Sequence, residues 1–147
     1  MIKIVPMTEA HVAAVAKLEA ACFADPWSEN SVAPELKNPL SLWLVAVEED
    51  TVVGYVGSQT VMGETDMMNV AVHPNCRRRG IAKGLLEALT RTLKKLGSRS
   101  LTLEVRASNE PAITLYTEFG FLEAGRRRNY YRNPKEDALI LRKEWEL

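Results

Sequence analysis

Met68-Asn69-Val70-Ala71-Val72, then His73-Pro74-Asn75-Cys76, then Arg77-Arg78-Arg79-Gly80-Ile81-Ala82-Lys83: this stretch decides the fold. An apolar run that stops at His73-Pro74 reads as a strand, because proline removes a ladder donor. From Gly80 to Leu96 the pattern changes to a helix. Ile81, Leu85, Leu86, Leu89, Leu93 and Leu96 share one face, while Lys83, Glu87, Arg91, Lys94 and Lys95 lie outside it. Gly97 stands where a left-handed C-cap residue is wanted. A strand that passes through a basic, glycine-containing loop into a helix offers free N–H donors and a positive dipole end beside charge-assisted donors. Such a site suits a pyrophosphate. It is neither a Walker A loop nor a dinucleotide fingerprint, since GxxxxGK followed by Ser or Thr and GxGxxG are both absent. On these residues alone, a helix start carrying a solvated basic patch remains an equal alternative.

Working outward, Ile2 to Val5 alternates as a first strand, and Thr8 is placed to cap a helix beginning near Glu9. Asp25-Pro26-Trp27-Ser28 is a loop, with Ser28 as N-cap of a short helix toward Leu36. Leu42 to Val47 and Val52 to Val61 are strands around Glu49-Asp50-Thr51, and Thr65 to Val72 is the fourth strand. After the long helix, Ser100 to Arg106 alternates Leu101, Leu103 and Val105 with Thr102, Glu104 and Arg106. Asn109 caps a helix from Glu110 to Phe119, with Pro111 in its first turn. Phe121 to Tyr131 and Asp137 to Lys143 are two last strands. The order β-αα-βββ-α-β-α-ββ predicts an α/β (α+β) fold with a mixed, largely antiparallel sheet, and one domain over residues 1–147.

The chain has 147 residues, 19 Lys+Arg, 19 Asp+Glu, a formal net charge of +0, and 46% hydrophobic residues. Its length buries roughly 70% of the extended surface. Balanced charge with a high apolar fraction excludes disorder and argues against a general nucleic-acid binder. The longest clean apolar run, Leu42 to Val47, is too short to span a membrane. Cys22 and Cys76 with His11 and His73 build no zinc-type pattern, so no metal is expected. The N-terminus shows no leader pattern, and the expected location is the cytoplasm.

Arg77, Gly80 and Ala82 in an R-x-x-G-x-A pattern, after a strand ending Val70-Ala71-Val72-His73-Pro74, resemble the acyl-CoA motif of the GCN5-related N-acetyltransferases. The element order matches that family over nearly the whole chain. Leu103-Glu104-Val105-Arg106-Ala107-Ser108-Asn109, Leu115-Tyr116 and Phe119-Gly120-Phe121 resemble one branch, the bacterial ribosomal-protein-alanine N-acetyltransferases. Asp25-Pro26-Trp27-Ser28 and Arg127-Arg128-Asn129-Tyr130-Tyr131 fit the same branch.

The resemblance implies acetyl-CoA as co-substrate, held between splayed strands four and five. The backbone of Val70, Ala71 and Val72 would bind the pantetheine arm as an added strand does. The N–H near Val70 would face the thioester carbonyl. Arg77, Arg78, Arg79, Gly80, Ile81, Ala82 and Lys83 would surround the pyrophosphate, and Asn109 would touch the cofactor from the next helix. Glu104 is the candidate base that takes a proton from the attacking amine, directly or through one water. Its plain alternative is an exposed strand glutamate paired with an arginine. Tyr116 is the candidate acid toward the leaving thiolate; its alternative is a packed core tyrosine. An α-amine, with a pKa near ~8, is an easier nucleophile to free than a lysine, near ~10.4. Neither motif holds a cysteine, so direct transfer in a ternary complex is expected. Trp27, Tyr130 and Tyr131 would line the peptide cleft, and strand alternation allows only one of the two tyrosines to face it.

The expected partner is a protein N-terminus, that of a ribosomal protein with N-terminal alanine, with no direct nucleic-acid contact and no membrane. A small-molecule amine acetyltransferase and a non-catalytic acyl-CoA-binding module are the other readings of the same fold.

Overall fold

A computed structural model describes residues 1–146. Ile2–Pro6 (β1) leads into Glu9–Cys22 (α1), where the Thr8 N–H donates to Nδ1 of His11 at 3.0 Å. Glu29–Val32 (α2) follows Ser28 and lasts one turn before tightening into a 3₁₀ segment at Ala33–Lys37. The single longer helix expected there is cut by Pro34, which has no N–H to give. Ser41–Glu48 (β2), Thr51–Val61 (β3) and Glu64–Val72 (β4) form an antiparallel meander. Ile81–Lys95 (α3) then carries the chain across the sheet to Ser100–Arg106 (β5). Glu110–Glu118 (α4), Leu122–Tyr131 (β6) and Glu136–Glu144 (β7) complete it, with the Ala112 N–H bonded to Oδ1 of Asn109 at 3.3 Å.

The seven strands make one mixed sheet in the order β1-β2-β3-β4-β5-β7-β6. Only β4 and β5 run parallel. One face is covered by α3, whose Leu85, Leu86, Leu89 and Leu93 are buried with Leu101, Leu103 and Leu141. Truncating one such leucine to alanine costs about 2–5 kcal/mol. The opposite face, under α1, packs Val12, Val15 and Leu18 on Trp43, Val45, Tyr55 and Ala71. There Gly57 is required by crowding: an added Cβ would stand 2.5 Å from the Trp43 indole. Trp43 stacks on Tyr55 with ring centroids 5.9 Å apart and meets Trp27 edge-on at 5.5 Å.

Two features of the sheet prepare the site. First, β4 and β5 pair only over Glu64–Asp66 and Ser100–Thr102, so the strands part beyond them. The closed end is clamped. Thr65 shares hydrogen bonds of 2.7 Å with both Thr60 and Ser98, and the Arg99 N–H reaches the Gly63 carbonyl at 2.7 Å. Second, the β3–β4 register shifts so that Gly57 faces Asn69 while Ser58 faces Met67. Met68 is the extra residue of a bulge, and the side chains after it change faces.

Candidate active site

Where β4 and β5 part, the structure has a cleft of about 430 Å³. Met67, Asn69, Leu103 and Glu104 form its strand walls, and Trp27 closes it from the α1–α2 loop. Arg127, Tyr130 and Tyr131 reach over from β6. Four residues singled out in the sequence, Trp27, Glu104, Tyr130 and Tyr131, therefore line one cavity.

The position of Glu104 follows from the β5 alternation. Its neighbours Leu103 and Val105 are buried, which turns the carboxylate to the other face. Oε2 is buried and has no hydrogen-bond partner among the described residues; Nε of Arg127 stands 3.3 Å away. The arginine pairing named as the plain alternative is thus present, and the same carboxylate also faces the cleft. A buried carboxylate oxygen whose arginine partner falls outside hydrogen-bond geometry leaves room for a donor that arrives with a ligand.

Both tyrosines face this cavity, contrary to strand alternation. Arg127 pairs with Ala138 and Tyr131 with Glu136, so three residues of β6 bulge out against one of β7. Asn129 takes a left-handed φ of 52°, and its N–H is held by Oδ1 of Asp137 at 2.9 Å. The bulge puts the two rings 5.1 Å apart and nearly perpendicular. Burial, then the Glu104 charge, pushes Tyr131 up to about 12, and Tyr130 is raised by the same two causes in the same order. Arg106 stacks on the Tyr131 ring at 4.5 Å and donates to the carbonyls of Arg132 and Pro134 at 2.9 Å, which fixes the hairpin tip behind the ring.

Tyr116 does not line this cleft, but its phenol is close enough to that of Tyr131 for the two to interact. It is 5% exposed on α4 and meets Phe121 edge-on at 5.6 Å. Burial first, and Tyr131 second, hold its phenol well above the ordinary range.

The loop before α3 forms a second cradle. Pro74–Cys76 is a 3₁₀ turn whose Asn75 N–H donates to Nδ1 of His73 at 3.1 Å. Arg78 and Gly80 both have left-handed φ, 66° and 74°. No side chain caps the α3 N-terminus, and an added Cβ on Gly80 would meet nothing within 4 Å. Open space and uncapped N–H groups fit a ligand phosphate. The three arginines differ. Arg79 turns to Glu48 at 3.0 Å. Arg77 donates from Nε to the Val72 carbonyl at 3.3 Å, and Arg78 has no ion pair among the described residues. Val70, Ala71 and Val72 lie on β4 past the last β5 pairing, and Asn109 stands at the start of α4. Among the described residues, no cluster of His, Cys, Asp or Glu could hold a metal ion, and no helix is long and apolar enough to cross a membrane.

One group in the cleft's support escapes the sequence. Glu19, on α1, is fully buried and bonds both Trp27 and Asn69. Its signal was helical spacing, for it lies seven residues after Val12 and four after Val15, on the core face.

A protein-family comparison matches residues 12–121 to the acetyltransferase (GNAT) family. The chain is 39% identical over 126 residues to the ribosomal protein bS18-alanine N-acetyltransferase of Escherichia coli (strain K12), covering 84% of each chain. It is 41% identical over 128 residues to the protein of the same name from Salmonella typhimurium, covering 85% of each. Among solved structures, the ribosomal-protein-S18-alanine N-acetyltransferase from Escherichia coli superposes with a TM-score of 0.92 at 35% identity, covering 100% of this chain and 96% of that one. With the parted strands, the uncapped helix start and the whole element order in agreement, the chain belongs to the acetyltransferase (GNAT) family.

Proposed function

We propose that this chain is an acetyl-CoA-dependent N-acetyltransferase acting on the N-terminal α-amine of a protein, a ribosomal protein with N-terminal alanine. The observation that carries the reading is Glu104: a carboxylate on the wall of the cleft that opens between β4 and β5, ion-paired to Arg127 but with its buried Oε2 outside hydrogen-bond geometry. The named relatives support the choice of acceptor. An acceptor of that kind implies a cytoplasmic enzyme.

Acetyl-CoA supplies the acetyl group as a thioester, ready for direct transfer in a ternary complex. The backbone of Val70, Ala71 and Val72 holds the pantetheine arm on the open side of β4. The N–H groups from Arg78 to Lys83 take the pyrophosphate at the α3 start. Arg77 and Arg78 supply charge there, whereas Arg79 is occupied by Glu48. Asn109 keeps its amide N–H₂ for the cofactor, since Oδ1 is used in capping α4. Glu104 takes the proton that the amine nitrogen sheds on bonding to the acetyl carbon, directly or through one water. Tyr116 gives its proton to the sulfur as the C–S bond breaks. Its phenol is protonated at neutral pH, as a proton donor must be. Trp27, Tyr130 and Tyr131 seat the first residues of the peptide.

The test is a peptide panel differing only at the N-terminus, incubated with acetyl-CoA, with the modified atom located by mass spectrometry. The expected product is acetylated on the α-amine of the alanine peptide. A blocked peptide with an internal lysine proving the better substrate would overturn the reading.

A further inference from the structure

Glu19 is a charge-bearing group at a core position. It is 0% exposed, and no cation pairs with it among the described residues. Oε1 accepts from the Trp27 N–H at 2.8 Å, and Oε2 accepts from Nδ2 of Asn69 at 2.9 Å. Burial raises its pKa, and the two donors pull against that rise. A buried carboxylate is costly for stability alone, and an apolar side chain of similar volume would serve the core as well or better.

Its two partners are what make the position informative. Trp27 and Asn69 are both lining residues of the cleft, one from the α1–α2 loop and one from β4. Asn69 is available only because of the Met68 bulge. Met67 packs in the core under α3 and Met68 in the core under α1, and the bulge then keeps Asn69 on the α1 side. Without it, Asn69 would share the face of Met67. The Trp27 ring is fixed separately, edge-on to Trp43. The loop backbone therefore has its own anchor, and that anchor is the carboxylate.

We infer that Glu19 is a positioning residue for the acceptor: its carboxylate ties the Trp27 loop to β4 and so sets the width of the peptide end of the cleft. The inference rests on the acetyltransferase reading above for what the cleft holds, but the tie itself is tested without activity. Glu19→Ala removes both bonds. Glu19→Gln keeps them: the new carbonyl oxygen accepts from Trp27, and the Asn69 amide turns so that Oδ1 accepts from the new N–H₂. Asn69→Asp sets a second carboxylate against Glu19, and combining it with Glu19→Gln restores a donor facing an acceptor.

The experiment has two arms on the full chain. Hydrogen exchange read on the segment containing Trp27 should rise in Glu19→Ala and Asn69→Asp. It should stay near wild type in Glu19→Gln and in the double variant. Steady-state kinetics with an N-terminal alanine peptide should show peptide KM up by roughly tenfold or more in the first two variants, as expected for a misplaced substrate. The apparent affinity for acetyl-CoA should be unchanged, Glu19→Gln should lie within about threefold of wild type, and the double variant should recover most of the KM lost in Asn69→Asp. A residue that served only folding would lower the melting temperature and leave KM alone. The inference is overturned if Trp27 exchange does not respond to Glu19→Ala, or if it responds and peptide KM does not. It is also overturned if Glu19→Gln fails to rescue Asn69→Asp. Should wild type acetylate no peptide, the functional reading fails, while the exchange arm still judges the tie.

Discussion

Replacing Tyr116 by phenylalanine separates two roles that burial would otherwise confound. The side chain is 5% exposed, packs edge-on against Phe121 at 5.6 Å, and makes no hydrogen bond to another described residue. Phenylalanine keeps the ring and its contacts and removes only a hydroxyl without a partner. Stability should stay within about 1 kcal/mol of wild type, because the hydroxyl has no protein partner to lose and is not among the fully buried unpaired polar atoms. Truncation to alanine would instead forfeit about 3–5 kcal/mol. If Tyr116 donates the proton to sulfur, turnover falls by roughly 10²–10⁴-fold, equivalent to about 2.7–5.4 kcal/mol of barrier. The phenol also carries a pH signature. Its pKa is raised, so the donor form persists beyond pH ~10, where an ordinary tyrosine ionises. The unfolded chain loses that proton first, so the stability linked to it is full below pH ~10 and declines as pH rises further. Stopped assays at saturating peptide and acetyl-CoA, with urea unfolding at pH 7 and at pH 10.5, read both effects. Unchanged turnover in a fully folded Tyr116→Phe protein would reduce the residue to packing.

Other predictions rest on other parts of the molecule. Glu104→Gln should retain CoA binding and lose most acetylation at pH 7. It should recover in part by pH 9, where an α-amine of pKa near ~8 is already neutral; activity equal to wild type at pH 7 would remove the base assignment. Gly80→Ala should cost roughly 1–2 kcal/mol for placing a side chain at φ 74°, and Gly80→Glu should abolish most CoA affinity by setting a carboxylate at the anion cradle; calorimetry on folded protein decides both. Glu35 is pushed up by burial, but donors from Gln59, Ser41, Asn38 and Trp43 outweigh that and leave its pKa lowered. Its stabilisation is therefore present above the ordinary carboxylate pKa and lost as pH falls through the lowered one. Glu35→Gln should accordingly cost about 1 kcal/mol at pH 7 and little at pH 3 in urea titrations.

The sheet and α3 were legible because their signals are local. Ser100 to Arg106 alternates in sequence and in burial, and Gly97 takes the left-handed φ its place demanded. The co-location of Glu104 and Trp27 on one cleft was legible only through resemblance, since nothing in either segment names its spatial neighbour. Two departures have one physical source, an irregular strand. Alternation assigned Tyr130 and Tyr131 to opposite faces, and the Asn129 bulge brings them together. The Met68 bulge likewise makes Asn69 a partner for Glu19. Bulges are set by what a strand packs on, and short-range periodicity does not carry that information. Glu19 itself hides because a glutamate in an alanine-rich helix reads as solvated, even on the core face.

The brevity of the β4–β5 pairing has a mechanical consequence. Three paired positions on each strand, with the Arg99 N–H to the Gly63 carbonyl beside them, form the backbone seam between a four-stranded half, β1 to β4, and a three-stranded half, β5 to β7. Pulled apart across that seam, the molecule resists with a few backbone bonds, the Thr65–Ser98 hydroxyl link, the Arg142–Glu64 ion pair and the span of α3. Amides of β4 beyond Asp66 also lack a cross-strand acceptor on the β5 side. An occupant that lies along the parted strand supplies one, and so becomes a temporary eighth strand. Occupancy should then stiffen the boundary between the halves and slow exchange along Val70 to Val72. It should also raise resistance to unfolding with the logarithm of ligand concentration. In such a molecule, the load-free state is the one most easily pried open.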